Sequence, residues 1–217
     1  MKFMSLINKP LYINPKTILL LIIALVLNFY KLNAQEISVQ DSTKRSRIKM
    51  TSLAFGGTGV LISNVNGKST IMTGGRGSAT FNNCYTFGGA GWGMPNGVEI
   101  ESSNTDTFEF FKFGYGGLEF GYIFYAGEKF SFGSNLLVAC GVGFKETVPK
   151  STDGDFNIFP VFEPSLYSQI SLGKLVHLDI GITYRFVTGA NFSYISNQKI
   201  SGPSFYIAFL LGSCSCN

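Results

Sequence analysis

Charge is scarce in this chain. Asp, Glu, Lys and Arg make up only 14% of its 217 residues, and there is one His and one Trp. A single His excludes a metal centre built from several imidazoles. Beyond the first 34 residues no long apolar run occurs, which excludes a domain of spanning helices. The four cysteines, Cys84, Cys140, Cys214 and Cys216, lack metal-type spacing. Cys214 and Cys216 are separated by one residue, too short a span for an unstrained disulfide. All four are read as unpaired thiols. No Gly-Lys-Ser/Thr signature follows any of the glycine runs, so no phosphate-cradling loop is present. No motif calls for a cofactor.

The formal charge of +4 is misleading. Four of the 17 basic residues, Lys2, Lys9, Lys16 and Lys31, lie in the first 34 residues, which hold no acid. The remaining basic residues equal the 13 acidic ones, so nothing argues for a nucleic-acid partner. A local basic group, Lys44, Arg45, Arg47 and Lys49, reads as a solvated tail. The first 34 residues have the pattern of a signal peptide: a basic start, the apolar run Ile18 to Leu27, and Leu32-Asn33-Ala34 before a cleavage point. Residues 35–50 are then a polar extension and 51–217 the folded domain.

What the chain does have is 26 Gly, 21 Phe and 10 Tyr. With few charges, that mixture favours strands and tight turns. From Met50 onward residues alternate with period two. In Leu175 to Val187, Val176, Leu178, Ile180, Ile182, Tyr184 and Phe186 share one face. His177, Asp179, Gly181, Thr183 and Arg185 share the other. Lys129 to Lys145 alternates likewise, with Leu137 the exception on its small, polar face. Leu118 to Tyr125, Val161 to Leu172 and Ser204 to Leu211 follow suit. In Leu53 to Asn64, Thr70 to Asn82 and Cys84 to Met94, glycine pairs blur the pattern, as bulges or as room for a neighbour. Phe111, Phe113 and Tyr115 are odd-numbered, whereas the aromatics after Gly116-Gly117 are even-numbered. That change of parity predicts a bulge at the glycine pair.

The count is eight strands. Asn82-Asn83, Ala126 to Glu128 and Gly173-Lys174 are short links. Pro95 to Thr107, Glu146 to Phe156 and Thr188 to Gly202 are long. Val65 to Lys68 is the one short link on the long-loop side. Alternating short turns and long loops on an even-stranded meander predict an eight-stranded antiparallel up-and-down transmembrane β-barrel, with the short turns toward the periplasm. The polar faces carry Gly, Ser and Thr rather than Lys and Glu. They suit a narrow lumen better than a coat facing water. Tyr122, Phe124 and Phe130 on one side, and Trp92, Phe144, Tyr184 and Phe186 on the other, are expected to form the interfacial girdles.

Gly74-Gly75-Arg76-Gly77, Phe87 to Gly93, Tyr115 to Tyr122, Phe162-Glu163-Pro164 and Thr183 to Val187, in this order, resemble a family of small outer-membrane barrel proteins of Gram-negative bacteria. The resemblance covers most of the chain after the leader. It implies a barrel in the outer membrane, in contact with its lipid and placed there by the insertion machinery, and it carries no activity across. Such barrels commonly end on an aromatic residue; here Gly212 to Asn217 follows the last apolar position.

Four charged residues alternate inward: Arg76, Glu119, Glu163 and Arg185. Two positive and two negative charges in a confined lumen predict a structural salt-bridge cluster, with Glu163 paired to Arg185. Eight strands leave an interior that side chains fill, which argues against a wide pore. A hydrolase of envelope lipid would use His177 as base, Asp179 as its orienter and Ser165 or Ser171 as nucleophile. His177 falls at the end predicted to face the periplasm. It also lies two residues from Asp179 on one face, about 7 Å, which is long for a hydrogen bond. The expected function is therefore a non-enzymatic barrel with a filled lumen and a structural or binding role in the envelope. Its long loops, with Asn104, Asp106, Asp153, Asp155 and Asn191, offer the surface for a partner. The alternative is a secreted soluble β-barrel that binds a small apolar ligand. Polarity of the inner against the outer face separates the two.

Overall fold

The computed structural model describes residues 55–82, 84–100, 108–148 and 156–212. The leader, the extension at 35–50, Cys214, Cys216 and the loop residues Asn104, Asp106, Asp153 and Asp155 lie outside them. The described strands are β1 Phe55–Val65, β2 Lys68–Phe81, β3 Tyr85–Gly93, β4 Val98–Ile100, β5 Phe108–Ala126, β6 Phe130–Val148, β7 Phe156–Ser171, β8 Val176–Val187 and β9 Gly202–Leu211. One short helix, α1, spans Asn197–Ile200.

Every described pairing is antiparallel. β1 pairs with β9, from Gly56 opposite Leu211 to Ser63 opposite Ser204, and this closes the ring. β3 pairs with the Gly114–Tyr122 part of β5, and β4 with its Glu109–Phe111 part. β3 and β4 are thus one stave interrupted at residues 94–97, and the barrel has eight staves. Closure leaves no strand with an open edge along its whole length, which a membrane-crossing sheet requires. Among the described residues no helix is long and apolar enough to cross a membrane.

Alternation places the side chains as physics demands of a wall between lipid and a narrow interior. Along β8, His177, Asp179, Thr183 and Arg185 are buried, while Ile182, Tyr184 and Phe186 are exposed. Along β6, Asn135, Leu137 and Ala139 point in, and Leu136, Val138, Val142 and Phe144 point out. The outer wall is apolar and the lumen holds the charges. An apolar outer wall cannot serve as the water-facing coat of a soluble barrel, and it removes the alternative of a secreted barrel with an apolar pocket. β1 and β2 are joined by Asn66-Gly67, both at positive φ (54° and 76°). This is the left-handed pair that a two-residue hairpin turn needs and that Asn-Gly supplies.

Several features differ from the sequence expectation. β5 runs through Gly116-Gly117 without a break in register against β3 or β6; the irregularity lies instead at Ile123/Tyr125, beside the turn. Parity therefore does not change at the glycine pair, and Phe111, Phe113 and Tyr115 point into the lumen, where all three are buried. The glycine pairs of β2 and β3 are also in continuous register. They are room rather than bulges: a Cβ on Gly74 would come within 2.8 Å of Trp92. Trp92 is only 5% exposed and lies 6.0 Å from Tyr206, inside the barrel rather than in a girdle. Residues 95–107, expected as a loop, contain β4. The strands β5 and β6 reach 19 residues each; β5 begins at Phe108, where the expected loop ends, while β6 runs past the expected Lys145 to Val148.

The lumen consequently has two halves. Toward the short turns it is polar, with Ser78, Thr80, Thr86, Asn135, His177 and Asp179 buried. Toward the long loops it is an aromatic core of Phe111, Phe113, Tyr115 and Phe159. The segment between β8 and β9, expected as an open loop, folds into that mouth and buries Phe192, Ile195 and Ile200. Phe192 packs edge-on against Phe111 at 5.3 Å and lies 6.2 Å from Phe159. Gly143 makes the space, since a Cβ there would stand 2.8 Å from the Phe192 ring.

Candidate functional site

The most concentrated chemistry among the described residues is the charge buried across the lumen. Arg76 sits midway along β2 with Gly74, Gly75, Gly77 and Ser78 beside it on its own strand, and its side chain crosses the barrel. Its Nη2 donates to Glu119 Oε1 on β5 at 2.7 Å, and its Nη1 donates to Asp179 Oδ2 on β8 at 2.6 Å. Nη1 also donates to the Tyr206 hydroxyl. The guanidinium lies 5.1 Å from the centre of the Tyr206 ring and 5.5 Å from that of Tyr167. One cation thus bridges staves that are not neighbours in the sheet. Gly181 is what admits Tyr206, since a Cβ at Gly181 would be 2.5 Å from its ring.

Arg185 is fully buried and forms a second layer. Its Nε and Nη2 donate to the Ile200 carbonyl at 2.9 and 2.8 Å, and Nη2 donates to Ser63 Oγ at 2.9 Å. Its guanidinium stands 5.0 Å over Phe113 and 5.7 Å over Tyr115. The Tyr115 hydroxyl donates to Glu163.

All four residues singled out by alternation are buried, but they pair differently from the expected scheme. The structure brings Arg76 and Glu119 into contact. Glu163 and Arg185 form no ion pair. The β7–β8 register, Phe162 opposite Phe186 and Ser165 opposite Thr183, sets the two side by side. Yet Arg185 reaches up to the mouth segment and Glu163 turns to Tyr115. The second acid on Arg76 is Asp179, which alternation had placed inward but which the charge count had left out. Its Oδ1 has no hydrogen-bond partner.

The hydrolase constellation forms only in part: Ser171 meets His177, but Asp179 does not. Ser171 Oγ is 3.2 Å from His177 Nδ1, and His177 Nε2 is 3.3 Å from the Gly212 carbonyl. The imidazole is therefore tied between a hydroxyl and a backbone oxygen at the short-turn end, and Asp179 is engaged by Arg76 rather than by His177. No group of three or more His, Cys, Asp or Glu among the described residues is arranged to hold a metal ion. Cys84 and Cys140 are free thiols, with Cys140 exposed on the outer wall.

The outer wall completes the geometry. Tyr122 packs against Tyr85 at 5.4 Å and against Phe124 at 5.5 Å beside the short turns. Tyr184 and Phe186 lie 4.5 Å apart toward the long loops. Exposed aliphatic side chains such as Leu118, Leu136, Val138, Leu166 and Ile182 fill the band between. A closed antiparallel ring with an apolar band between two aromatic belts and a filled lumen is a transmembrane β-barrel of the outer-membrane type. The fold has a counterpart among solved structures. The barrel of Neisserial surface protein A (NspA) matches with a TM-score of 0.50 and 13% identity, over 74% of this chain and 94% of that one. The attachment invasion locus protein Ail of Yersinia pestis matches with a TM-score of 0.47 and 14% identity, over 75% of this chain and 96% of that one. No family model matches the chain, and no curated protein matches it in sequence.

Proposed function

We propose that this protein is a closed, non-enzymatic barrel of the Gram-negative outer membrane with a structural or binding role in the envelope. In this reading residues 1–34 direct export, residues 35–50 form a polar extension, and the insertion machinery places the 51–217 barrel in the lipid. The observation that carries the reading is the filled lumen. The Arg76 layer occupies the middle, and Phe192, Ile195 and Ile200 close the long-loop mouth. A barrel so filled offers solutes no path, and its binding surface is its outer wall and loops. The test is fractionation of expressing cells with an SDS gel run with and without boiling, followed by planar-bilayer recording. The expected result is recovery in the outer membrane, a heat-dependent change in mobility and no stepwise conductance. Recovery in the periplasm without a mobility change defeats the membrane reading, and steady conductance defeats the closed lumen.

A further inference from the structure

A concavity of about 780 Å³ is cut into the outer wall across β5, β6, β7, β8 and β9. It runs between two rows of outward side chains. Short residues open it: Ser134, Pro164 and Pro203 stand among the larger Phe120, Leu136, Leu166, Ile182 and Tyr184. Their placement is a matter of register. Pro164 lies opposite Leu136, and Pro203 opposite Tyr184, so both proline rings lie in one row on either side of Tyr184. Proline has no N–H for a ladder and is rare inside a sheet. Here the β7–β8 pairing lapses at Glu163 and Pro164. The Pro164 carbonyl is taken up instead by Thr183 Oγ1 from the lumen side at 2.8 Å.

We propose that this groove is a binding site for one glycerophospholipid of the periplasmic leaflet, holding an acyl chain along its length. The proposal rests on the membrane reading above. The groove is continuous with the lipid-facing wall, and its two ends differ in chemistry. At the end nearer the short turns, Tyr122 and Ser134 are register partners on β5 and β6, and each brings a hydroxyl-bearing side chain to the outer surface. These hydroxyls match the ester region of a lipid. From there the groove passes Leu136 and Leu166 to Tyr184 and Pro203, an apolar path across four strand spacings, or about 19 Å. Strand tilt makes this path oblique to the bilayer normal, so a chain entering from the short-turn leaflet follows it inward. A chain lying in a groove touches protein on three sides, against one for a chain on a convex wall, and gains dispersion contacts in proportion. The short-turn end faces the periplasmic leaflet, which selects a phospholipid over lipids of the outer leaflet.

The test uses the full barrel, delipidated, refolded in mild detergent and titrated with phosphatidylethanolamine of uniform acyl length, read by native mass spectrometry. One retained lipid per barrel is expected. Ser134→Leu fills the groove and deletes one hydroxyl, and it should weaken retention about tenfold. Tyr122→Phe keeps the volume and should weaken it less. Ala79→Leu, on the opposite wall, should match the parent protein. Each sample is checked for heat-dependent mobility, which reports the folded barrel independently of lipid. Absence of a retained lipid in a barrel that shows the mobility shift overturns the proposal. So does equal retention by the Ser134→Leu and Ala79→Leu proteins, or a dimer in place of a lipid adduct. Loss of the mobility shift in the parent protein would instead overturn the membrane reading.

Discussion

Arg76 answers to two carboxylates, and removing it leaves both Glu119 and Asp179 buried without their cation. A buried ion pair contributes little net stability when replaced whole, but breaking it from one side is costly. Arg76→Met is expected to lower barrel stability by about 3–5 kcal/mol. The triple variant Arg76→Met, Glu119→Gln, Asp179→Asn should recover most of that loss. Urea midpoints of the folded band on unheated gels measure both. In double-mutant cycles the Arg76–Asp179 coupling should exceed the Glu163–Arg185 coupling, because only the first pair is in direct contact. A larger Glu163–Arg185 coupling would contradict the geometry. Arg76 and Glu119 were legible as inward residues because alternation along their own strands settles their facing. Asp179 as the second partner was not. β2 and β8 are not adjacent in the sheet, and only closure of the ring carries Arg76 across to it.

At the scale of elements, the segment between β8 and β9 is tied down from three sides. Arg185 binds its Ile200 carbonyl, the Asn66 amide donates to the Lys199 carbonyl at 2.8 Å, and the Val187 amide of β8 donates to Ser201 Oγ at 2.9 Å. Phe192 is the apolar anchor of that attachment. Phe192→Ala should undock the segment at a cost of about 3 kcal/mol. Hydrogen exchange is expected to speed up at the Asn66 and Ala190 amides while the β6 and β8 ladders stay protected. Planar bilayers should still show no conductance, since the Arg76 layer blocks the barrel below. Conductance in this variant would show that the mouth segment alone closes the lumen. The sequence marks this stretch as a loop because it has no period. Its burial depends on Gly141 and Gly143 in β6, whose absent side chains make space for Phe159 and Phe192. Phe111, Phe113 and Tyr115 were misread for a related reason. An aromatic on a strand looks like a lipid-facing residue, but these share the parity of Glu119, and the unbroken register of β5 turns them inward with it.

Over the whole molecule, facing direction is the property on which the membrane reading stands, and Trp92 reports it. Its ring lies in the lumen beside Tyr206, so brominated acyl chains should leave the fluorescence of the reconstituted protein unquenched. A control protein with Trp92→Phe and Leu166→Trp carries its indole on the outer wall and should be quenched strongly. Quenching of Trp92 to the same degree would place it in a girdle and reverse the facing of β3. The ring itself closes through β1 and β9, whose paired residues stand about as far apart as the described chain allows. Closure is therefore the least local step of the fold and carries the largest loop entropy.

Period-two alternation, turn residues and unequal loop lengths determined by themselves that the chain forms eight staves, and which face of most of them meets lipid. They could do so because side-chain direction in a strand is a local property with a fixed period. Three things were decided only by the tertiary structure: which acid Arg76 meets across the lumen, that an aperiodic segment plugs the mouth, and that two prolines and a serine on separate strands line up into one groove. Each depends on register and closure, which bring together residues far apart in the chain. No local pattern encodes the distance across a barrel.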